Sequence, residues 1–302
     1  MAQPFRRPLL NRLPGARATG VATSTQWGDS SFEEMRWQRT REAGRPWAIA
    51  GALVGLVLGL IVFAPAAWLA SAVFTGTRGH ILLADASGTV WSGSAVLVLA
   101  GGEGARDARS LPGRINWSLR PAGLTSLRAE LRHECCINDA LRLTLQPGLG
   151  SFTTHLQGTP GWISQWPADW LGGLGTPWNT VQLAGALRLS SPGLTLQSVQ
   201  GRWRVEGRAA LDIVDVSSRV STLARLGSYR LNLTGDPAGA AQLQLTSASD
   251  SSLQLSGAGS VGPGGLRFKG EAHANAADEA ALSNLLNIIG RRDGARSVIS
   301  IE

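Results

Sequence analysis

Residues 181–196 read VQLAGALRLSSPGLTL. Val181, Leu183, Gly185, Leu187 and Leu189 alternate with polar or small residues, a Ser-Pro-Gly turn signal follows, and Leu194 and Leu196 resume the alternation. Successive side chains of a strand point to opposite faces, so a period of two marks a strand with one apolar and one wet face. The pattern spreads in both directions. Before it come Ile115, Trp117 and Leu119, then Leu127, Ala129 and Leu131, then Leu141, Leu143 and Leu145. After it come Trp203 and Val205, Leu211 and Ile213, Leu231 and Leu233, Leu243 and Leu245, Leu253 and Leu255, and Leu266 and Phe268. Short turn signals separate the runs: Gln146-Pro147-Gly148, Ser191-Pro192-Gly193, Asp236-Pro237-Ala238-Gly239 and Gly262-Pro263-Gly264-Gly265. Strands at this spacing pair as antiparallel hairpins, and roughly ten are expected. A sheet with one apolar face must cover it, by folding into a sandwich or by curling. Gly185, Gly201, Gly207, Gly235 and Gly257 recur where strands would bend, which favours a curved, rolled sheet.

Two stretches depart from alternation. In PGWISQWPADWL, residues 160–171, Trp162, Trp166 and Trp170 stand four apart, one face of a helix that Pro167 divides. Such a row is core, or it suits a membrane surface or glycan. Residues 277–289 form a helix with Asp278 and Glu279 in its first turn and an apolar stripe of Leu282, Leu285, Leu286 and Ile289. Gly290 ends it and Arg291 and Arg292 complement its dipole, so it closes one open end of the sheet.

Upstream of the strands, residues 47–74 read WAIAGALVGLVLGLIVFAPAAWLASAVF without a charged side chain. About 20 apolar residues span the hydrocarbon core of a bilayer, and Trp47 and Trp68 bracket that length as an aromatic belt. Pro65 is a tolerable kink near the far end. The division is a basic arm over residues 1–46, largely disordered to Gly28 with a short helix from Ser30 to Glu42; a transmembrane helix over 47–72; and a β-rich domain over 73–302. Arg36, Arg39, Arg41 and Arg45 crowd the amino-terminal side, against Arg78 just beyond the helix. Positive residues stay inside, so the amino terminus is cytoplasmic and the bulk of the chain lies outside; in a bacterium, that is the periplasm. Gly51, Gly55 and Gly59 share one helix face and would admit a second helix closely, for self-association or a partner.

The chain of 302 residues carries a net charge of +7, nearly all from arginine, with Lys269 its one lysine. The charges are scattered along strands, and the basic cluster by the apolar helix follows from topology and anionic lipid, so a nucleic-acid partner is not expected. Cys135 and Cys136 are adjacent; neighbouring Cα atoms sit at about 3.8 Å, below the usual disulfide range of about 4.4–6.8 Å, so they are either unbridged on opposite faces of a strand end or joined through a distorted turn. With His133 and Glu134 they lack the spacing of a metal site. His80, His133, His155 and His273 are isolated, Asp212 and Asp215 point to opposite faces of a strand, and no nucleophile elbow, zinc helix or phosphate loop occurs. No catalytic residue, cofactor or metal is expected; the chain reads as a structural or interaction protein.

At Gly88-Thr89-Val90-Trp91-Ser92-Gly93-Ser94-Ala95 the chain resembles the family of type II secretion system protein N. Trp166-Pro167-Ala168-Asp169-Trp170-Leu171 and Leu174-Gly175-Thr176-Pro177-Trp178-Asn179-Thr180 are similar to its central signature. Gly227-Ser228-Tyr229-Arg230-Leu231 and the residues from Leu282 to Arg292 resemble its carboxyl-terminal half. The resemblance implies an inner-membrane accessory of the machine that exports folded proteins across the outer membrane, working beside other platform subunits without catalysis. In physical terms Gly88 permits a tight turn, Trp91 is a large apolar anchor and Gly93 allows close approach, a first hairpin pinning the sheet near the membrane helix. Candidate contacts are therefore Gly51, Gly55, Gly59, Trp91, Gly93, Trp166, Trp170 and Trp178. A second reading from the alternation is an anchored envelope protein whose apolar sheet face binds or transfers lipid.

Overall fold

The computed structural model describes residues 29–200, 202–235, 240–262 and 265–301, with side chains from residue 46 onward. The arm before Asp29, Gly201, the whole of the 236–239 turn and residues 263 and 264 lie outside these residues. The chain divides into two units, Met1–Gly59 and Leu60–Glu302.

The first unit holds most of α1 (Asp29–Val62), one unbroken backbone helix that runs through Pro46. The expected break between a short helix and the apolar segment is absent. Trp47, Ile49, Leu53, Leu56 and their neighbours present bare apolar surface.

In the second unit the apolar stretch does not continue as one helix to residue 72. It stops at Val62, and α2 (Ala66–Gly76) starts after Pro65. Pro65 has no N–H to give the carbonyl of Ile61 and sits in an extended conformation, so the helix cannot pass through. Among the described residues, no helix is long and apolar enough to cross a membrane. α2 instead packs on the sheet, with Ala66 buried against Ala95 and Trp117, and Leu69 beside them.

Among the described residues sixteen strands form one antiparallel sheet, more than the alternation predicts. They are β1 (Ile81–Gly88), β2 (Ser92–Ala100), β3 (Ala108–Ser110), β4 (Ile115–Pro121), β5 (Leu127–His133), β6 (Leu141–Gly148), β7 (Ser151–Gln157) and β8 (Trp162–Pro167). After a 3-10 helix, Ala168–Leu174, and the short α3 (Trp178–Val181) come β9 (Leu183–Val199), β10 (Arg202–Ser218), β11 (Gly227–Gly235), β12 (Ala241–Ser247), β13 (Leu253–Gly262) and β14 (Gly265–Ala274). The chain closes with α4 (Glu279–Ile289), β15 (Arg291–Asp293) and β16 (Arg296–Ile301). The path is a meander from β1 to β14, then β16 and β15; β3 shares β2 with β4, and β8 shares β9 with β7. Pro192 falls where β9 changes partner from β8 to β7, a place that needs no ladder N–H.

The register puts the apolar residues in rows across one face. Leu119, Ala129, Leu143, Leu156 and Leu194 form one row, and Leu189, Leu211, Leu231 and Leu245 another. The opposite face carries Ser118, Glu130 and Arg142, then Arg188, Asp212, Arg230 and Thr246. At the β1 side α2 covers the apolar face. At the other side α4 covers it, with Leu282, Leu285 and Leu286 buried among Val216, Tyr229, Leu253 and Ala272. The leucines between the two are half-buried. The expected helix over 277–289 is present from Glu279; Gly290 ends it in extended backbone, and Arg291 and Arg292 open β15.

Tyr229, the one tyrosine of the chain, donates to the carbonyl of Leu253 at 3.0 Å from within this core. Burial pushes its phenol well above the ordinary value, with Arg225 opposing weakly. Tyr229→Phe removes the partner of a buried carbonyl, and an unmade bond of this kind costs about 1–3 kcal/mol. Urea unfolding of the variant should show a lower midpoint with an unchanged slope.

Residues 160–171 are not helical as far as Pro167. Trp162–Pro167 is a strand on β9, Trp162 facing Ser190 and Trp166 facing Leu187, with a register shift between Trp162 and Ser164. A spacing of four returns to the same face in a strand as well as in a helix, so the tryptophans fitted both periods. The loop after β5 decides between them: Asn138 N–H bonds Ile163 O and Gln165 N–H bonds Cys136 O, both at 2.9 Å.

Candidate interaction site

The β1–β2 turn is built on glycine. Gly88 has φ +91°, and a Cβ there would lie 2.5 Å from the carbonyl of Ser92. Thr89 locks the turn: its N–H reaches Ser92 O at 2.8 Å and its Oγ1 accepts from Ser92 N–H at 3.1 Å. Two tryptophans then tie the turn to its surroundings. Trp117 donates its indole N–H to the carbonyls of Thr89 and Val90, at 3.2 and 3.1 Å. Trp91 donates to the carbonyl of Ile61 at 2.7 Å. Pro65 has no N–H to give that carbonyl, which takes only a long bond from Ala64 N–H at 3.5 Å, so Trp91 is its close donor. Val90 N–H bonds Ala64 O at 2.9 Å, and Pro65 bridges Thr89. Gly93 lies beneath the Trp117 ring, where a Cβ would stand 2.5 Å from Cζ2. On the far side of the hairpin Arg114 pairs with Asp85 at 2.5 Å and also reaches Ser94 Oγ at 3.1 Å. Trp91 and Gly93 are thus parts of one joint between the end of the apolar helix and the sheet.

The other tryptophans form a second cluster. Trp166 and Trp170 stack with ring centroids 6.3 Å apart and planes tilted by 31°. Trp170 bonds Arg109 O at 3.0 Å, and Asn179 reaches Asp107 at 3.0 Å, so the 3-10 helix is strapped to β3. Trp178 follows the cis Pro177 and stays partly exposed. These rings cover the β2–β3 edge, and Trp178 lies open beside them. Gly51, Gly55 and Gly59 lie on α1 with open space where a side chain would be.

Cys135 and Cys136 are joined to each other in the turn after β5. Of the two alternatives open from sequence, this is the bridged one. His133 is buried beside them: Nδ1 accepts from Cys135 N–H at 3.3 Å, and Nε2 has no partner. His133, Cys135 and Cys136 bring ligand atoms within 4.8 Å of one another, but with the sulfurs bonded together neither is the thiolate a metal needs. Desolvation holds the His133 imidazole below its ordinary value, with Glu134 opposing. The fold therefore keeps this ring neutral, while the unfolded chain takes up a proton near pH 6.5. Stability is full above that pH and falls as pH drops through about 6.5 and on toward the lowered folded value. Thermal unfolding at pH 7.5 and 5.5 should show this loss, and His133→Gln should flatten it.

Asp212 and Asp215 go to different partners, Arg230 at 2.5 Å and Arg225 at 3.0 Å. The histidines sit apart, His80 just before β1 and the others on separate strands: His80 contacts Ala100 O, and His155 contacts Thr195 Oγ1.

Fold and joint together define a class: a meandering antiparallel sheet whose first hairpin is bonded to residues 61–65, just after an apolar stretch. The chain belongs to the type II secretion system protein N family, whose model matches residues 80–299. It is thereby a component of type II secretion and associates with that system's other components. Comparison with curated proteins and with solved structures gives no match.

Proposed function

We propose that this chain is a non-catalytic structural accessory of the type II secretion platform, anchored in the bacterial inner membrane by α1 with its amino terminus inside and its sheet in the periplasm. The observation that carries this is the bare apolar surface of α1, where Trp47, Leu53, Leu56, Leu60 and Ile61 are exposed. Residues 47–62 make roughly 24 Å of helix against about 30 Å of hydrocarbon, and α1 extends further on its amino-terminal side. The glycine face of α1 suits a second helix, from another copy or a platform subunit.

Crosslinking the tagged chain in its native membrane, followed by mass spectrometry of co-purifying proteins and lipids, tests this. Enrichment of platform subunits with only bulk lipid is the expected result. Stoichiometric lipid without those subunits would overturn it in favour of a second reading, a lipid-handling sheet. The half-buried leucine rows between α2 and α4 favour that second reading.

A further inference from the structure

An antiparallel meander sends alternate turns to the same end of the sheet. The β1–β2 turn, which holds Ile61 and Ala64, therefore shares its end with the β4–β5, β6–β7 and β9–β10 turns. Turn tips are ordinarily Gly, Asn, Asp or Ser. Here Leu124 and Leu149 occupy tips, exposed to 105 and 107 %. Next to Leu149, Phe152, Val199 and Trp203 are also exposed, at 38, 39 and 46 %. They lie together: Ser151 pairs with Val199, Phe152 and Trp203 both pair with Ser198, and Gln200 N–H bonds Gly150 O at 2.9 Å.

The charge at this end is basic. Arg120 and Arg128 face each other across β4 and β5, where like charges repel, and Arg202 and Arg204 flank Trp203. None of these arginines is in an ion pair among the described residues. The opposite end carries both signs in its turns: Glu134, Asp139, Asp250 and Asp278 stand with Arg106, Arg219 and Arg225, and Asp250 is paired with Arg225.

We propose that the β4–β5, β6–β7 and β9–β10 turns form a lipid-facing rim, resting on the anionic surface of the bilayer that holds α1. Leu124, Leu149 and Trp203 enter the headgroup zone, and the arginines behind them meet lipid phosphates. Apolar tips backed by cations are what an anionic interface binds. The sheet unit begins at Leu60, and Ile61 is bonded to Trp91 at the end that carries these tips. The proposal rests on the reading of α1 as the anchor.

The test uses the full chain in vesicles of phosphatidylethanolamine and phosphatidylglycerol, with one nitroxide at a time on Leu149→Cys, Leu124→Cys, Ser249→Cys or Leu56→Cys. Leu149 and Leu124 are exposed, so far-UV circular dichroism should be unchanged. Accessibility to oxygen and to a water-soluble nickel chelate is then compared. The expected result is several-fold less nickel access at Leu149 and Leu124 than at Ser249, on the opposite end, with oxygen access kept. Arg202→Glu with Arg204→Glu should restore nickel access at Leu149. Equal nickel access at the tips and Ser249, with Leu56 shielded, overturns the rim and leaves the anchor standing. Tips shielded from both oxygen and nickel would mean a protein contact and overturn it too. A Leu56 label open to nickel removes anchor and rim together.

Discussion

Gly93→Val should lower stability by about 3 kcal/mol or more, from overpacking with loss of neighbouring bonds. A Cβ at Gly93 would sit 2.5 Å from the Trp117 ring and 2.5 Å from the carbonyl of Ser87. Nothing there yields cheaply. The carbonyl belongs to β1 in the same hairpin, and the ring is buried and bonded to Thr89 and Val90 through its N–H. Moving Trp117 breaks those bonds and opens the cluster with Ala66 and Ala95. The damage should spread to the joint, because Val90 and Trp91 hold Ala64 and Ile61. Thermal unfolding and limited proteolysis around residues 61–66 check this: the variant should unfold earlier and be cut at the joint. Gly55→Ala, a substitution into open space on α1, should leave both readouts unchanged. Normal stability and an intact joint in Gly93→Val would remove the structural role assigned to this glycine.

Leu286→Ala should be nearly as severe. Leu286 is wholly buried on α4, among Leu282, Leu285 and the residues of β10, β11, β13 and β14, and its carbonyl accepts from Ser297 Oγ at 2.5 Å. Truncation of such a leucine costs about 2–5 kcal/mol, the spread reflecting how far the cavity closes. In a domain of this size that is a fall of about 5–15 °C in melting temperature. Leu286→Met, which keeps the volume, should cost less than about 1.5 kcal/mol. If alanine and methionine behave alike, α4 is not the cover of this core.

Much of this was legible from residues alone. The leucine alternation located the strands from Ile115 to Phe268, because a half-buried strand must separate apolar from polar side chains at every second position. The stripe of Leu282, Leu285 and Leu286 located α4 for the same reason at the helical period. The signals that failed were ambiguous or too distant. Trp162 and Trp166 satisfied both periods, and pairing with β9, with bonds from residues 136–138 on the other side, made that segment a strand. Phe152, Thr154 and Leu156 alternate over too few residues between Gly150 and Gly158 to stand out, and β7 was passed over. The β15–β16 hairpin lay behind two arginines that looked like a helix terminus. For Cys135 and Cys136 the sequence left both states open, since the Cα spacing of neighbours falls short of the usual disulfide range and only a distorted turn, which the sequence does not reveal, permits the bridge.

By itself, the sequence determined that a charge-free apolar stretch precedes an antiparallel β-rich region with a terminal helix, and that Gly88–Ala95 mark its first hairpin. Those are local properties, set by composition, period and turn chemistry within a few residues. Only the tertiary structure decided that α2 packs on the sheet beyond Pro65, that Trp91 donates to the carbonyl of Ile61, and that Leu124 and Leu149 share an end with that joint. Each of these joins residues far apart in the chain. Hydrogen bonds and register across strands have no signature in any single window of sequence, so pairs such as Trp91 with Ile61 exist only once the sheet has closed around them.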